Sequence, residues 1–108
     1  MRMSKFMRLL VFFDIPVKTK DERRQATQFR KKLLDDGFYM VQFSVYARLC
    51  NTIENAKEHE KRLKNFLPYC GSVRSMIVTE KQYSTINILV GKPHKKDKKV
   101  HENQISFF

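Results

Sequence analysis

The stretch RLLVFFDIP at residues 8–16 contains a run of five apolar residues that ends at a carboxylate, followed closely by a proline. An uninterrupted apolar run of this length predicts a strand buried on both faces, and we place it at residues 7–13. A strand of that kind lies in the interior of a sheet. Asp14 follows it directly, where the carboxyl end of the strand gives way to a loop.

A helix is predicted to follow this strand, at residues 20–36. Thr19 can cap its first turn while Glu22, three residues later, reaches back to the backbone of Thr19. Gly37 supplies the C-terminal stop. Three apolar residues repeat at helical spacing within it: Ala26, Phe29 and Leu33.

A second helix is predicted to begin at Asn51 or Thr52 and to run to about Leu67, where Pro68 closes it. Its apolar stripe consists of Ile53, Ala56, Leu63, Phe66 and Leu67. Glu60 falls inside this stripe, and the sequence offers no reason for its place there.

The segment between the two helices, residues 38–49, alternates in polarity. One predicted face, assigned to the core, carries Val41, Phe43, Val45, Ala47 and Leu49. The other face carries Met40, Gln42, Ser44, Tyr46 and Arg48. The polar and aromatic side chains of this second face suit a surface that meets a partner. Residues 72–79 and 86–90 are predicted as the third and fourth strands.

The predicted element order is βαββαβ, which indicates an α+β fold of the ferredoxin-like sandwich type. Two helices would cover one face of a four-stranded antiparallel sheet and leave the other face open. We assign this domain to residues 1–91, with 1–6 as a dispensable extension. Residues 92–102 are interpreted as a basic linker. The apolar residues 103–108 predict an edge strand that pairs with the other subunit of a homodimer.

The chain carries 22 lysines and arginines against 11 acidic residues, a net charge of +11. Such an excess predicts a polyanionic partner, and we expect nucleic acid before a membrane surface because no long amphipathic basic segment is present. The predicted phosphate contacts are Arg23, Arg24, Arg30, Lys31, Lys95, Lys96, Lys98 and Lys99. The lysine run could equally be a solvated stretch of charge.

Asp14 has two interpretations. It is either a turn residue that bonds nearby backbone, or a metal ligand. One carboxylate binds Mg²⁺ poorly, and no second acid is obviously placed beside it, but a two-fold dimer would bring two copies of Asp14 together. The three histidines are interpreted as surface or boundary residues, and Cys50 and Cys70 as reduced thiols of a cytoplasmic protein.

Three motifs, FFDIP, VQFSVY and IVTEKQY, together resemble the family of the small CRISPR adaptation protein, the CRISPR-associated endoribonuclease of the adaptation pair, in the version found beside type II systems. The resemblance implies a ferredoxin-like homodimer in which Asp14 of both subunits binds Mg²⁺ and the C-terminal strand pairs with the partner. Members are described as endonucleases on RNA or DNA. They are also described as a bridge between integrase dimers that holds DNA for insertion as a new spacer.

The chain departs from the family pattern at two positions. Met40 stands where many members have an arginine, and Tyr46 where phenylalanine is frequent. Three hypotheses therefore stay open: a homodimer of CRISPR adaptation that binds double-stranded DNA and the integrase subunit, a stand-alone toxin-type ribonuclease, and a non-catalytic RNA-binding module. The candidate residues of the dimer face are Gln42, Ser44, Tyr46, Phe107 and Phe108.

Truncation after Gly91 tests the predicted exchange of the C-terminal strand. Removal of this tail should weaken the homodimer, because the apolar residues 103–108 would no longer pair with the partner subunit. Light scattering on the full chain and the truncated chain measures the dimer. An unchanged dimer in the truncated chain would refute strand exchange.

Overall fold

The computed structural model describes residues 6–97, and in them the predicted order βαββαβ is confirmed, although the second and third strands both lie between the two long helices and a single strand follows them. The elements are β1 (Met7–Asp14), α1 (Lys20–Asp35), β2 (Tyr39–Gln42), β3 (Val45–Cys50), α2 (Ile53–Leu63), β4 (Ser72–Thr79), α3 (Glu80–Tyr83) and a 3-10 turn (Lys95–Asp97). The strands form one antiparallel sheet in the order β2-β3-β1-β4. The apolar run thus lies inside the sheet, and the fold is α+β and ferredoxin-like, as predicted.

The main core lies between the sheet and the two long helices. Alternate residues of β1, namely Leu9, Val11 and Phe13, point to this side and are buried. They meet Phe29 and Leu33 of α1, and the rings of Phe13 and Phe29 pack edge to face with centroids 5.1 Å apart. Burial of this apolar surface is the main force that holds the helices against the sheet.

Helix α1 begins where its sequence predicted. The Thr19 side chain accepts a hydrogen bond from the backbone N–H of Glu22, and the Glu22 carboxylate accepts from the backbone N–H of Thr19. This reciprocal capping box satisfies two amides that the helix itself leaves without partners. At the other end Asp36 caps the helix, and Gly37 turns the chain with a φ of 90°.

Asp36 also ties α1 to the neighbouring elements. Its Oδ2 lies 2.9 Å from His59 Nδ1, and its Oδ1 accepts from Arg62 at 2.7 Å, both on α2. The Nε of Arg48, on β3, donates a hydrogen bond to the backbone carbonyl oxygen of Asp36 at 2.7 Å. His59 is thus buried, and it takes part in the polar contacts that connect α1 to α2. Glu60, next to it, accepts a hydrogen bond from Ser75 of β4 at 2.6 Å, which explains an acidic residue in the stripe.

Helix α2 ends earlier than predicted, at Leu63 and not near Leu67. The amides of Lys64 and Asn65 bond to the carbonyls of residues 61 and 62, so the helix tightens into a turn before the proline. Ile53 and Leu67, expected in the buried stripe, are 43% and 47% exposed.

Residues 38–49 form a hairpin instead of a single strand, and the set of residues predicted to meet the core is not the set that meets the main core. The chain reverses at Phe43 and Ser44, where Ser44 has a φ of 67°, and the register shifts between Met40 and Gln42. Val41 and Ala47 of the predicted core set do pack on one side of the sheet, but on the side away from the two long helices. Tyr46, predicted on the partner face, is buried in the main core, whereas Phe43, predicted in the core, is 75% exposed.

The predicted fourth strand at residues 86–90 is also wrong. The fourth strand of the sheet is supplied by the hairpin, which places two strands between the helices. After β4 the chain turns into α3, whose cap Thr79 forms a capping box with Gln82. Residues 86–90 have no strand pairing, and Leu89 and Val90 are 91% and 95% exposed.

The second face of the sheet is not open throughout, in contrast to the prediction. Leu10, Tyr39, Ala47 and Tyr83 form a small buried cluster there. Arg8, fully buried beside them, directs its Nε at both carboxylate oxygens of Glu80, at 3.0 and 3.1 Å. Helix α3 therefore covers this part of the sheet through an ion pair as well as through apolar contact.

Asp97 joins the C-terminal segment to this cluster. Its Oδ1 accepts from the hydroxyls of Tyr83 at 2.5 Å and Tyr39 at 2.9 Å, and Arg8 donates to the carbonyl of Lys96 at 2.6 Å. Burial, followed by the bond to Asp97, raises the pKa of Tyr83 to about 12. Partial burial alone would raise the pKa of Asp97, but the two tyrosine hydrogen bonds outweigh it and the pKa lies below its ordinary value. Residues 92–97 of the predicted linker thus contact the domain, and 98–102 lie outside the described residues.

Replacement of Asp97 by asparagine should destabilise the protein at neutral pH by about 1–2 kcal/mol, because a charged acceptor of three hydrogen bonds, from Tyr39, Tyr83 and the backbone N–H of His94, becomes neutral. Since the folded pKa of Asp97 is lowered, its stabilisation is complete above the unfolded pKa of about 4 and disappears as the pH falls through the folded value. Urea unfolding between neutral and acid pH measures this, with Glu58→Gln, an exposed charge on α2, as the control. A gap between wild type and Asp97→Asn that stays constant with pH would contradict the assignment.

Candidate nucleic-acid and metal site

Asp14 is the last residue of β1 and is exposed, although the strand before it is almost entirely buried. Its Cα pairs with Ser72, the first residue of β4. Ile15, the next residue, is again buried. Asp14 is therefore an exposed residue between two buried ones, Phe13 and Ile15, which fix the position of its backbone.

Gly71 holds the turn against which Asp14 rests. Its φ is 85°, and a Cβ at this position would lie 2.3 Å from the carbonyl oxygen of Asp14 and 2.9 Å from the Cα of Ile15. No side chain fits at such a distance, so only glycine allows β4 to start this close to the end of β1. The backbone on either side of the candidate ligand is thus closely packed.

The charge environment of Asp14 is simple. No side-chain hydrogen bond or ion pair joins Asp14 to another part of the described chain. Residues 6–97 contain no group of three or more histidine, cysteine or acidic side chains that could hold a metal. Mg²⁺ commonly takes one or two carboxylates together with water and phosphate oxygens. Asp14 by itself supplies one carboxylate, and a second copy of Asp14 from a partner subunit would raise this to two.

The basic residues predicted on α1 have different surroundings. The side chain of Arg23 donates to the carbonyls of Val17 and Lys18, at 3.1 and 3.0 Å, and so holds the loop that follows β1. Arg24 pairs with Asp21 at the surface. Lys31 is exposed. Of these three, Lys31 is the cation that neither braces a loop nor pairs with an acid.

Arg30, the fourth of these residues, lies beneath an aromatic ring. Its guanidinium carbon is 5.2 Å from the centroid of Phe43, at the tip of the β2–β3 hairpin. The buried Nε of Arg30 has no hydrogen-bond partner among residues 6–97. The sequence did not indicate this contact, because Phe43 was assigned to the core.

The remaining predicted residues are the lysines of the C-terminal segment and the residues of the proposed dimer face. Lys95 and Lys96 are exposed on the 3-10 turn. Gln42 is exposed and Ser44 forms the hairpin turn, so they do not share a face with the buried Tyr46. Four predicted residues lie outside the described range: Lys98, Lys99, Phe107 and Phe108.

A second group of cations was missed by the sequence interpretation. Helix α2 and the neighbouring β4 present the exposed residues Lys57, Lys61, Arg62, Lys64 and Arg74. For Lys57, Lys61 and Arg62, the spacing on the polar side of an amphipathic helix was the available signal. Among residues 6–97, none of the helices has the length and apolar content that a bilayer crossing needs.

Comparison with known proteins gives one consistent result. Residues 7–86 match the family model described as "CRISPR associated protein Cas2". The chain belongs to the Cas2 family. A relative from Acidovorax ebreus, named "CRISPR-associated endoribonuclease Cas2", is 51% identical over 94% of this chain and all of its own length. A relative of the same name from Ligilactobacillus salivarius is 46% identical over 92% of this chain and 98% of its own.

The fold has a solved counterpart within the Cas2 family. A structure described as "Crystal structure of cas2" aligns with a TM-score of 0.54 at 23% identity, over 83% of this chain and 92% of the other. At this identity the match supports the fold alone. The family model and the two relatives confirm, at the level of the Cas2 family, the resemblance first seen in the three sequence motifs.

Substitution of Gly71 by alanine should disturb the end of β1 in this Cas2 protein. The added Cβ meets the Asp14 carbonyl in a backbone conformation that favours glycine, so we expect a loss of about 2–4 kcal/mol in the free energy of unfolding. Gly91→Ala is the matched control, because Gly91 also has a positive φ, of 107°, but no atom lies within 4 Å of its Cβ position. Urea unfolding compares the two, and equal losses would show that the contact with Asp14 is unimportant.

Proposed function

We propose that this Cas2 protein is a Mg²⁺-dependent endonuclease of CRISPR adaptation that works as a homodimer, with Asp14 of each subunit at a shared metal site. Two relatives at 46–51% identity carry the name CRISPR-associated endoribonuclease, which supports nuclease activity here. The net charge of +11 supports a nucleic-acid substrate.

The observation that carries the proposal is the position of Asp14. An exposed carboxylate without an ionic partner in the described chain ends a strand that is otherwise buried, and the backbone around it is fixed by Gly71. A turn residue would bond nearby backbone with its side chain, and Asp14 makes no such bond within residues 6–97. An exposed carboxylate that makes no such bond, on a closely packed backbone, favours a ligand over a turn.

A two-fold axis would supply the second carboxylate that a metal needs. An isologous interface repeats the same residue on both sides, so a single aspartate per chain becomes a pair. When bound, Mg²⁺ would activate a water molecule and offset negative charge on the scissile phosphate. The role of the protein is to orient the two carboxylates and, through its cations, to hold the phosphate backbone near them.

The proposed substrates are single-stranded RNA and double-stranded DNA. Exposed cations at Lys31, on the 3-10 turn and along α2 are available for sequence-independent phosphate contacts. We further propose that the homodimer binds the integrase subunit of the adaptation pair and holds DNA for insertion as a new spacer. Met40, in place of the arginine frequent in the family, favours a role in which holding DNA matters more than cutting it.

Replacement of Asp14 by asparagine tests the catalytic proposal. The variant keeps the shape of the side chain and removes the charge that a metal needs, so Mg²⁺-dependent cleavage of labelled RNA or DNA should fall by at least about 100-fold. Asp35→Asn, at the end of α1, changes an exposed carboxylate elsewhere and should cleave like wild type.

Cleavage is followed on single-stranded RNA, single-stranded DNA and duplex DNA, each with Mg²⁺ and with chelator. Equal cleavage by wild type and Asp14→Asn would refute Asp14 as the metal ligand. If neither protein cuts and both bind duplex DNA, the protein is a DNA-holding adaptor and not a nuclease.

A further inference from the structure

The tip of the β2–β3 hairpin presents an aromatic ring to solvent. Phe43 is 75% exposed. The tip is held in place, because the backbone N–H of Phe13 donates to the carbonyl of Ser44 at 3.0 Å and Ser44 adopts a φ of 67°. The ring is thus exposed on a well-anchored turn.

Arg30 supports this ring from the side of α1. Its guanidinium carbon lies 5.2 Å from the ring centroid, within the range of a cation–π contact. Its Nε is buried and has no acceptor among residues 6–97. The arrangement pairs a stacking surface with a positive charge, the two features with which proteins hold single-stranded nucleic acid.

The hairpin tip lies at the same end of the sheet as Asp14. Phe12 pairs with Val45, and Ser44 bonds to Phe13, so the next residue of β1 lies beside the turn. From the spacing of strands, the Cα atoms of Phe43 and Asp14 are on the order of 10 Å apart. One or two nucleotides of an extended strand could span that distance.

We propose that Phe43, backed by Arg30, is a stacking site for one unpaired nucleobase of the nucleic acid that passes Asp14. The inference rests on the proposed function and deepens it, because it names the substrate class: single strands, or duplexes with splayed ends, whose bases are free to stack. A base inside an intact duplex already stacks on its neighbours and gains nothing from the ring. A second copy of this chain could instead cover Phe43, and the test below separates the two.

The test measures binding in chelator, so that cleavage does not interfere. Fluorescence anisotropy compares a single-stranded DNA oligonucleotide, an abasic strand of the same length and a duplex. Phe43→Ala should weaken binding of the normal single strand by about 5- to 100-fold, and binding of the abasic strand and the duplex by less than about twofold. Phe43→Tyr should retain wild-type affinity because it keeps the ring, whereas Phe43→Leu, which keeps the bulk without the ring, should behave like Phe43→Ala.

Three results would overturn the proposal. Unchanged single-strand affinity in Phe43→Ala would do so, and so would an equal loss on the normal and the abasic strand. The third is conversion of a dimer to a monomer in light scattering, which would assign Phe43 to a subunit interface. Single-strand binding intact in Phe43→Ala, together with cleavage that depends on Asp14, would refute only the stacking site. A wild-type protein without affinity for any nucleic acid would refute the proposed function as well.

Discussion

Arg8 places a buried positive charge near the amino end of the inner strand β1, and the structure around the second sheet face depends on how that charge is satisfied. A buried guanidinium without partners would cost several kcal/mol, a large part of the stability of a small domain. Glu80 pairs with it, Tyr39 accepts from it at 3.0 Å, and the ring of Tyr83 lies 4.8 Å from its guanidinium carbon. These contacts require the chain after β4 to turn back over the sheet, so it forms α3 instead of continuing as a strand.

The sequence was sufficient for the features that depend on local chemistry. The capping box at Thr19, the buried run of β1 and the extent of β4 all follow from residues that are close in the chain. The hairpin was missed because the alternation of residues 38–49 continues through the turn, and a serine with positive φ gives little sequence signal. The second face was missed because Arg8 and Glu80 are 72 positions apart, and neither alone predicts burial.

In the candidate site, too, the features that depend on neighbouring residues in the sequence were predicted, and those that depend on distant residues were not. Asp14 could be identified because it follows the most constrained strand, and its position at the sheet end agrees with that expectation. The surroundings of the α1 arginines could not be predicted, since they depend on which carbonyl or ring lies within reach. Arg23 braces a loop and Arg30 lies against Phe43, although both are arginines of the same helix. Charge in a sequence indicates a partner, but contacts in the fold decide which cations are available to it.

The two ends of β1 have different tasks. At the amino end, Met7 pairs with Cys50 and Thr79, close to the buried Arg8–Glu80 pair and the tyrosines that join Asp97. At the carboxyl end, the antiparallel pairing brings together the last residue of β1, the hairpin turn before β3 and the start of β4. Apolar contacts and a satisfied ion pair hold the first end, so the second can leave a carboxylate and an aromatic ring exposed without loss of the fold. Exposed groups on a rigid sheet end are the arrangement that binding and catalysis require.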